Sequence, residues 1–140
     1  MHKQANDFRS TDLLDVFKVL SDLTRFRIVK LLFEVEWFYV CELSDILDIP
    51  FYGISRHLKE LKRLGIVREE KEGRFVKYFL VRGSSNLEKK LWELIALVED
   101  DITEKDRKQR QKRLSLRQKG ECSLCVNVEE KSYTDKEDKL

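Results

Sequence analysis

The sequence predicts a mainly α-helical domain carrying one small β-hairpin, and three observations lead to that prediction. Val40, Leu43, Ile46 and Leu47 recur at helical spacing and are stopped by Pro50. A second helical stripe, Ile54, Leu58 and Leu61, follows at once and closes at Gly65, a C-cap residue. The period then changes. In IVREEKEGRFVKYFLV, Val67, Phe75, Phe79 and Val81 alternate with polar residues around Lys71-Glu72-Gly73, the pattern of a hairpin. Helix, sharp turn, helix and hairpin in that order make a winged helix-turn-helix.

The flanking elements follow in chain order. The opening MHKQANDFRS is polar and lacks the apolar core of a secretory signal, so no export is expected. From Ser10 to Leu20, Leu13, Leu14, Phe17 and Leu20 sit at helical spacing, and Ser21-Asp22 supplies the N-cap of a second helix. That helix carries Phe26, Ile28, Leu31, Leu32 and Val35 as a partly buried scaffold. The interleaved Arg25 and Arg27 have two uses open to them, DNA phosphate or an internal pair with Asp22 or Glu34. The most hydrophobic stretch, Ile28 to Leu43, is interrupted by Lys30, Glu34, Glu36 and Glu42 and cannot span a bilayer. A cytoplasmic chain with no membrane partner is expected.

After Gly83-Ser84-Ser85, the residues Leu87, Leu91, Leu94, Ile95, Val98 and Ile102 form one apolar seam, read as a single long helix. Together with Leu13 and Phe17 this seam predicts a homodimer through the first and last helices. From Glu104 to Lys119 the stripe fades into basic residues, and the helix is expected to fray there. Ser123 to Leu140 has too few apolar residues to bury and is expected to be mobile. The organisation is therefore residues 1–103 as a winged DNA-binding and dimerisation domain, and 104–140 as a basic extension with a tail.

A chain of 140 residues with 41% hydrophobic content can form one core without disulfides. Its net charge of +2 is uninformative, but the distribution is not: −3 over residues 1–50, +5 over 51–82 and zero over 83–140. Positive charge thus gathers on the second helix of the motif and the hairpin, where phosphate contacts would supply affinity for double-stranded operator DNA. The candidate contacts are Phe51, Tyr52, Ser55, Arg56, His57, Lys59 and Lys62 on the helix, with Arg74 and Lys77 on the wing. His57 stands alone and is either structural or phosphate-facing. No Gly-rich phosphate loop, paired carboxylates or serine–histidine arrangement is present, so no enzymatic activity is expected.

The runs LSDLTRFRIVKLL, VCELSDILDIP and ISRHLKELKRLGIVREEKEGRFVKYFLV together resemble the ArsR/SmtB family of metal-sensing repressors, over roughly Phe17 to Val81. The resemblance implies a homodimeric winged domain that occupies an operator and leaves it when an inducer binds. Two positions depart from the family pattern. Pro50, Phe51, Tyr52 and Gly53 stand where a capping serine and small polar residues are common, and Phe51 and Tyr52 offer either contact to thymine methyls or packing against the scaffold. Arsenic-sensing members carry two nearby cysteines where this chain has Tyr39 and Cys41, and no histidine lies between Ser84 and Leu140 to build the zinc site of other members.

Cys122 and Cys125 form a C-x-x-C, a spacing that lets two thiolates close on one soft ion. With Cys41 as a third ligand, three thiolates without histidine suit arsenite, antimonite or another soft metal ion. The basic run before Gly120 would favour thiolate formation. Two alternatives stand beside this reading. One is a regulator in which the cysteines act as a thiol redox switch; the other is a thiol- or metal-binding protein whose winged domain mediates protein contacts.

Overall fold

Residues 9–119 are described by the computed structural model, and their order is helix α1 (Ser10–Leu20), α2 (Leu23–Glu34), strand β1 (Trp37–Tyr39), α3 (Val40–Leu47), α4 (Phe51–Arg63), β2 (Val67–Glu72), β3 (Phe75–Leu80), α5 (Asn86–Ala96), α6 (Asp101–Ser115) and a 3₁₀ turn (Leu116–Lys119). Local chemistry sets the helix starts. The Asp22 carboxylate accepts from the Arg25 N–H at 3.0 Å, and the Glu42 carboxylate accepts from the Tyr39 N–H at 2.9 Å, so each answers a backbone donor that the first turn leaves without a helical partner. Between α3 and α4 the chain turns through Asp48 in the left-handed region (φ +55°), and the Ser44 hydroxyl donates to the Ile49 carbonyl at 2.6 Å. Pro50, its φ of −52° already helix-like, launches α4.

The core lies where α2, α3 and α4 meet the sheet. Ile28, Leu32, Phe38, Leu43, Ile54, Leu58 and Leu61 have almost no exposed surface. All three residues of the predicted α4 stripe are among them, so the stripe faces inward as read. Gly65 follows α4 at φ +74°, and Gly73 opens the two-residue hairpin loop at φ +63°, a position that glycine fills without strain.

The sheet has three antiparallel strands in the order β1-β3-β2, one more than the hairpin predicted. Trp37, Phe38 and Tyr39 pair with Phe79, Tyr78 and Lys77. Three consecutive aromatics have no alternation to betray a strand, and only the partner β3 makes them one. The alternation also sorts differently from a simple apolar-in pattern. Val76, Tyr78 and Leu80 pack against the core, whereas Phe75 and Phe79 share the outer face with Trp37 and Tyr39. There the rings stack on each other and beneath cations: Trp37 lies 4.9 Å from Tyr39, Tyr39 lies 5.4 Å from Phe75, and the Arg68 guanidinium sits 4.1 Å over Phe79.

The single long helix expected after Ser85 is in fact two. The buried Lys30 side chain of α2 reaches across and donates to the Ala96 carbonyl at 2.8 Å, taking up a carbonyl at the end of α5. Four residues on, Asp100 caps a new helix: its carboxylate accepts from the Thr103 N–H and the Thr103 hydroxyl accepts from the Asp100 N–H, both at 2.9 Å. The seam is therefore divided. Leu91 and Ile95 belong to the core of the subunit, while Leu87, Leu94, Leu97 and Val98 remain exposed and Ile102 opens α6. The boundary expected at 103/104 falls inside α6, and residues 104–115 are regular helix rather than a fraying end.

Candidate nucleic-acid interface and thiol site

Tyr52, Arg56 and Lys59 are spaced by four and three residues, which places them on one face of α4, opposite the buried Ile54, Leu58 and Leu61. All three are exposed, and Arg56 lies 5.9 Å over the Tyr52 ring. Ser55 and His57 are half-buried beside them. Phe51 packs against the core instead, so of the two aromatics only Tyr52 faces outward.

His57 sits under α4 rather than on its open face. Its Nδ1 lies 3.3 Å from an Arg25 guanidinium nitrogen, while Arg25 Nε donates to the Val19 carbonyl at 2.7 Å. Burial, then the positive charges of Arg25 and Arg56, push the imidazole pKa below its ordinary value, with Asp22 opposing them. Arg25 is thus an internal tie between α1, α2 and α4. Arg27 is committed too, though to neither Asp22 nor Glu34: it makes two hydrogen bonds, at 2.9 and 2.8 Å, to Asp106 on α6.

On the wing, Arg74 is exposed at the hairpin loop with its guanidinium 5.9 Å from the Phe75 ring. The other two predicted cations are already partnered. Lys62 pairs with Glu69 at 2.7 Å, and Lys77 pairs with Glu72 at 2.6 Å while lying 4.3 Å over Trp37. The Lys62 ammonium and the Tyr78 hydroxyl together hold the Glu69 carboxyl below the usual carboxylate range. Arg56, Lys59 and Arg74 have no ion-pair partner among the described residues, so they can meet a polyanion without breaking one.

Cys41 lies in the first turn of α3 and is 1% exposed. Cys122 and Cys125 lie outside the described residues. Glu42, next to Cys41, is fully buried and receives two hydrogen bonds from Arg117, one of them Nε to Oε2 at 2.6 Å. Arg117 also donates to the Trp37 carbonyl at 3.0 Å and stacks 3.6 Å over the Trp37 ring. The C-terminal segment is thereby held at the start of α3, five residues short of Cys122 and within about 16 Å of chain. Among the described residues no group of three or more His, Cys, Asp or Glu side chains is arranged to hold a metal ion. A soft-ion site at Cys41 accordingly needs the two later cysteines.

Sequence reading missed the residues that hold α6. Thr103, Asp106, Arg110, Arg113 and Arg117 recur every three or four residues, a helical stripe written in polar residues. Its last four members answer Arg27, Glu34, Asp45 and Glu42 in turn. A search for apolar periodicity passes over such a stripe.

A trihelical unit with an exposed cationic helix face and an adjoining antiparallel wing defines a winged helix-turn-helix protein. Residues 22–69 match the family model described as bacterial regulatory protein, arsR family. A cadmium resistance transcriptional regulatory protein, CadC, of Listeria innocua is 38% identical over 78 residues, which are 56% of this chain and 65% of that protein. An uncharacterised HTH-type transcriptional regulator of Methanocaldococcus jannaschii is 38% identical over 86 residues, covering 61% of this chain and 90% of the relative. The solved structure of reduced HlyU from Vibrio cholerae aligns with a TM-score of 0.54 and 31% identity, covering 61% of this chain and 86% of that one. The chain belongs to the ArsR family.

Proposed function

We propose that the chain is a transcriptional repressor that binds operator DNA as a homodimer and releases it when a thiophilic ligand binds its cysteines. The face formed by Tyr52, Arg56 and Lys59 carries this reading: it is the exposed side of the second helix of the motif, its cations are uncommitted, and the wing cation Arg74 extends it. Exposed Leu14 and Phe17 on α1 with Leu87, Leu94 and Leu97 around α5 provide an apolar surface for a second subunit. A two-fold dimer would set two α4 helices one helical turn apart on the duplex.

The inducer reading rests on Cys41. It stands in the first turn of α3, whose far end leads through the Asp48–Pro50 turn into α4, so the length of one short helix and one turn joins a change at Cys41 to the reading helix. Three thiolates from Cys41, Cys122 and Cys125 would take arsenite, antimonite or another soft ion, in keeping with the cadmium-resistance name of one relative. The ligand must bind the low-affinity conformer better than the DNA-bound one, since equal affinity shifts nothing.

One observation favours a second reading: the structure carries Cys41 as a disulfide-bonded residue. A peroxide could oxidise one thiol to the sulfenic acid with loss of water, and a second thiol could displace a further water to close the S–S bond, two electrons having passed to the peroxide. One titration tests both. The DNA complex is challenged with arsenite, cadmium, zinc or hydrogen peroxide, in the native sequence, in Cys41→Ser and in Cys122→Ser/Cys125→Ser. The expected result is release by a soft ion that each variant abolishes. Release by peroxide alone supports the redox reading, and release that survives both variants removes the cysteines from the mechanism.

A further inference from the structure

We propose that the cleft at the root of the wing is a binding site for a lipophilic organic cation. The inference is independent of the cysteine and DNA readings.

The shape and lining of the cleft are the first support. Its volume is about 650 Å³, within the range that takes a small organic molecule, and it opens to solvent on one side. Val16 of α1 with Leu91 and Trp92 of α5 form one wall, and Ile66 and Leu80 at the base of the hairpin form the other. All five belong to the hydrophobic core, so the floor of the cleft is apolar. The indole is fixed in place, its Nε1 donating to the Arg82 carbonyl at 3.0 Å. An apolar body entering the cleft leaves water for a surface that is already formed.

The charges around the cleft are the second support, because they are unevenly committed. Arg68, Arg82, Glu36 and Glu88 all line it. Both arginines are engaged within the subunit. Arg68 pairs with Glu70 at 2.8 Å and lies over the Phe79 ring, while Arg82 donates to the Phe33 carbonyl at 2.8 Å and lies over the Phe33 ring. Neither Glu36 nor Glu88 has an ion-pair partner among the described residues. Glu88 is the deeper of the two: it is half-buried, and its Oε1 accepts from the buried Ser85 hydroxyl at 2.7 Å. Its carboxylate fills the space where a side chain of Gly83 would begin, so the absent Cβ at that position makes the seat. A carboxylate held beside an apolar wall without a cation is electrostatically incomplete. An incoming cation meets two such groups, whereas an anion meets them with both guanidinium groups already taken.

The test is calorimetric titration of the full-length protein, without DNA or metal, with tetraphenylphosphonium and with tetraphenylborate, two ions of one shape and opposite charge. The phosphonium is expected to bind once per subunit, and the borate at least about tenfold more weakly. Glu88→Gln keeps an oxygen for the Ser85 hydroxyl and removes the charge; it should weaken phosphonium binding about tenfold without weakening that of the borate. Glu36→Gln, at an exposed position, should act in the same direction to a smaller extent, and it decides the matter if Glu88→Gln does not fold. Absence of phosphonium binding overturns the site, as does equal affinity for the two ions, which would mark adventitious apolar binding only. Phosphonium binding that both substitutions leave unchanged places the cation elsewhere and overturns it too. A failed DNA titration would remove the repressor reading and leave this measurement standing.

Discussion

The uncommitted cations of α4 and the wing make a quantitative statement about salt. Each phosphate neutralised by a lysine or arginine on B-DNA contributes about −0.9 to the slope of log K against log salt. Arg56, Lys59 and Arg74 are exposed and free of carboxylate partners among the described residues, so a dimer brings six such charges and a slope near −5 on duplex DNA. Arg56→Ala in both subunits should flatten that slope by about 2, as should Lys59→Ala. Lys62→Ala should change it less, because Glu69 at 2.7 Å already neutralises Lys62 and removing the lysine leaves a new negative charge rather than a missing contact. Fluorescence anisotropy with a labelled mixed-sequence duplex, titrated at several potassium chloride concentrations, reads the slope directly and needs no knowledge of the operator. If Arg56→Ala and Lys59→Ala leave the slope of the native protein unchanged, the DNA lies on some other surface, and the assignment of the α4 face is wrong.

Three further outcomes are expected. Leu94→Glu/Leu97→Glu should convert a dimer to a monomer by light scattering without loss of helical circular dichroism, since the two side chains are 61% and 76% exposed in the subunit; a dimer that persists would place the interface elsewhere. His57, whose folded pKa is depressed below its ordinary 6.5, is protonated in the unfolded chain before it is in the native one. Stability should therefore fall as pH drops through about 6.5, and urea titrations of His57→Gln should lose that part of the slope. Gly65→Ala should destabilise by about 1 kcal/mol in thermal unfolding through its φ of +74° alone, because no atom lies within 4 Å of the added methyl.

Which face of α4 is exposed was legible in the residues. The stripe of Ile54, Leu58 and Leu61 fixes which side of α4 is buried, and once that is known Tyr52, Arg56 and Lys59 can only face outward. Commitments between side chains were not legible. Whether Lys62 and Lys77 are free depends on Glu69 and Glu72 standing opposite in the register, and the outer placement of Phe75 and Phe79 depends on β1, whose three aromatics show no period of their own. The seam after Ser85 misled for a related reason. Leu94, Ile95, Val98 and Ile102 keep helical spacing across the break, while the groups that make the break are Lys30, sixty-six residues before the carbonyl it caps, and the local Asp100–Thr103 box.

The α6 stripe shows why the two kinds of seam serve different ends. An apolar seam holds two helices wherever their grease can meet, and its loss leaves apolar surface in water. The charged seam is poorer in net energy, because each ion must first be desolvated, but a buried charge left without its partner is strongly penalised, so Asp106, Arg110, Arg113 and Arg117 accept one register against Arg27, Glu34, Asp45 and Glu42. A carboxylate with no exposed surface beside Cys41 is tolerable only while Arg117 faces it. The pairing therefore gives a helix that docks in one place and in one register.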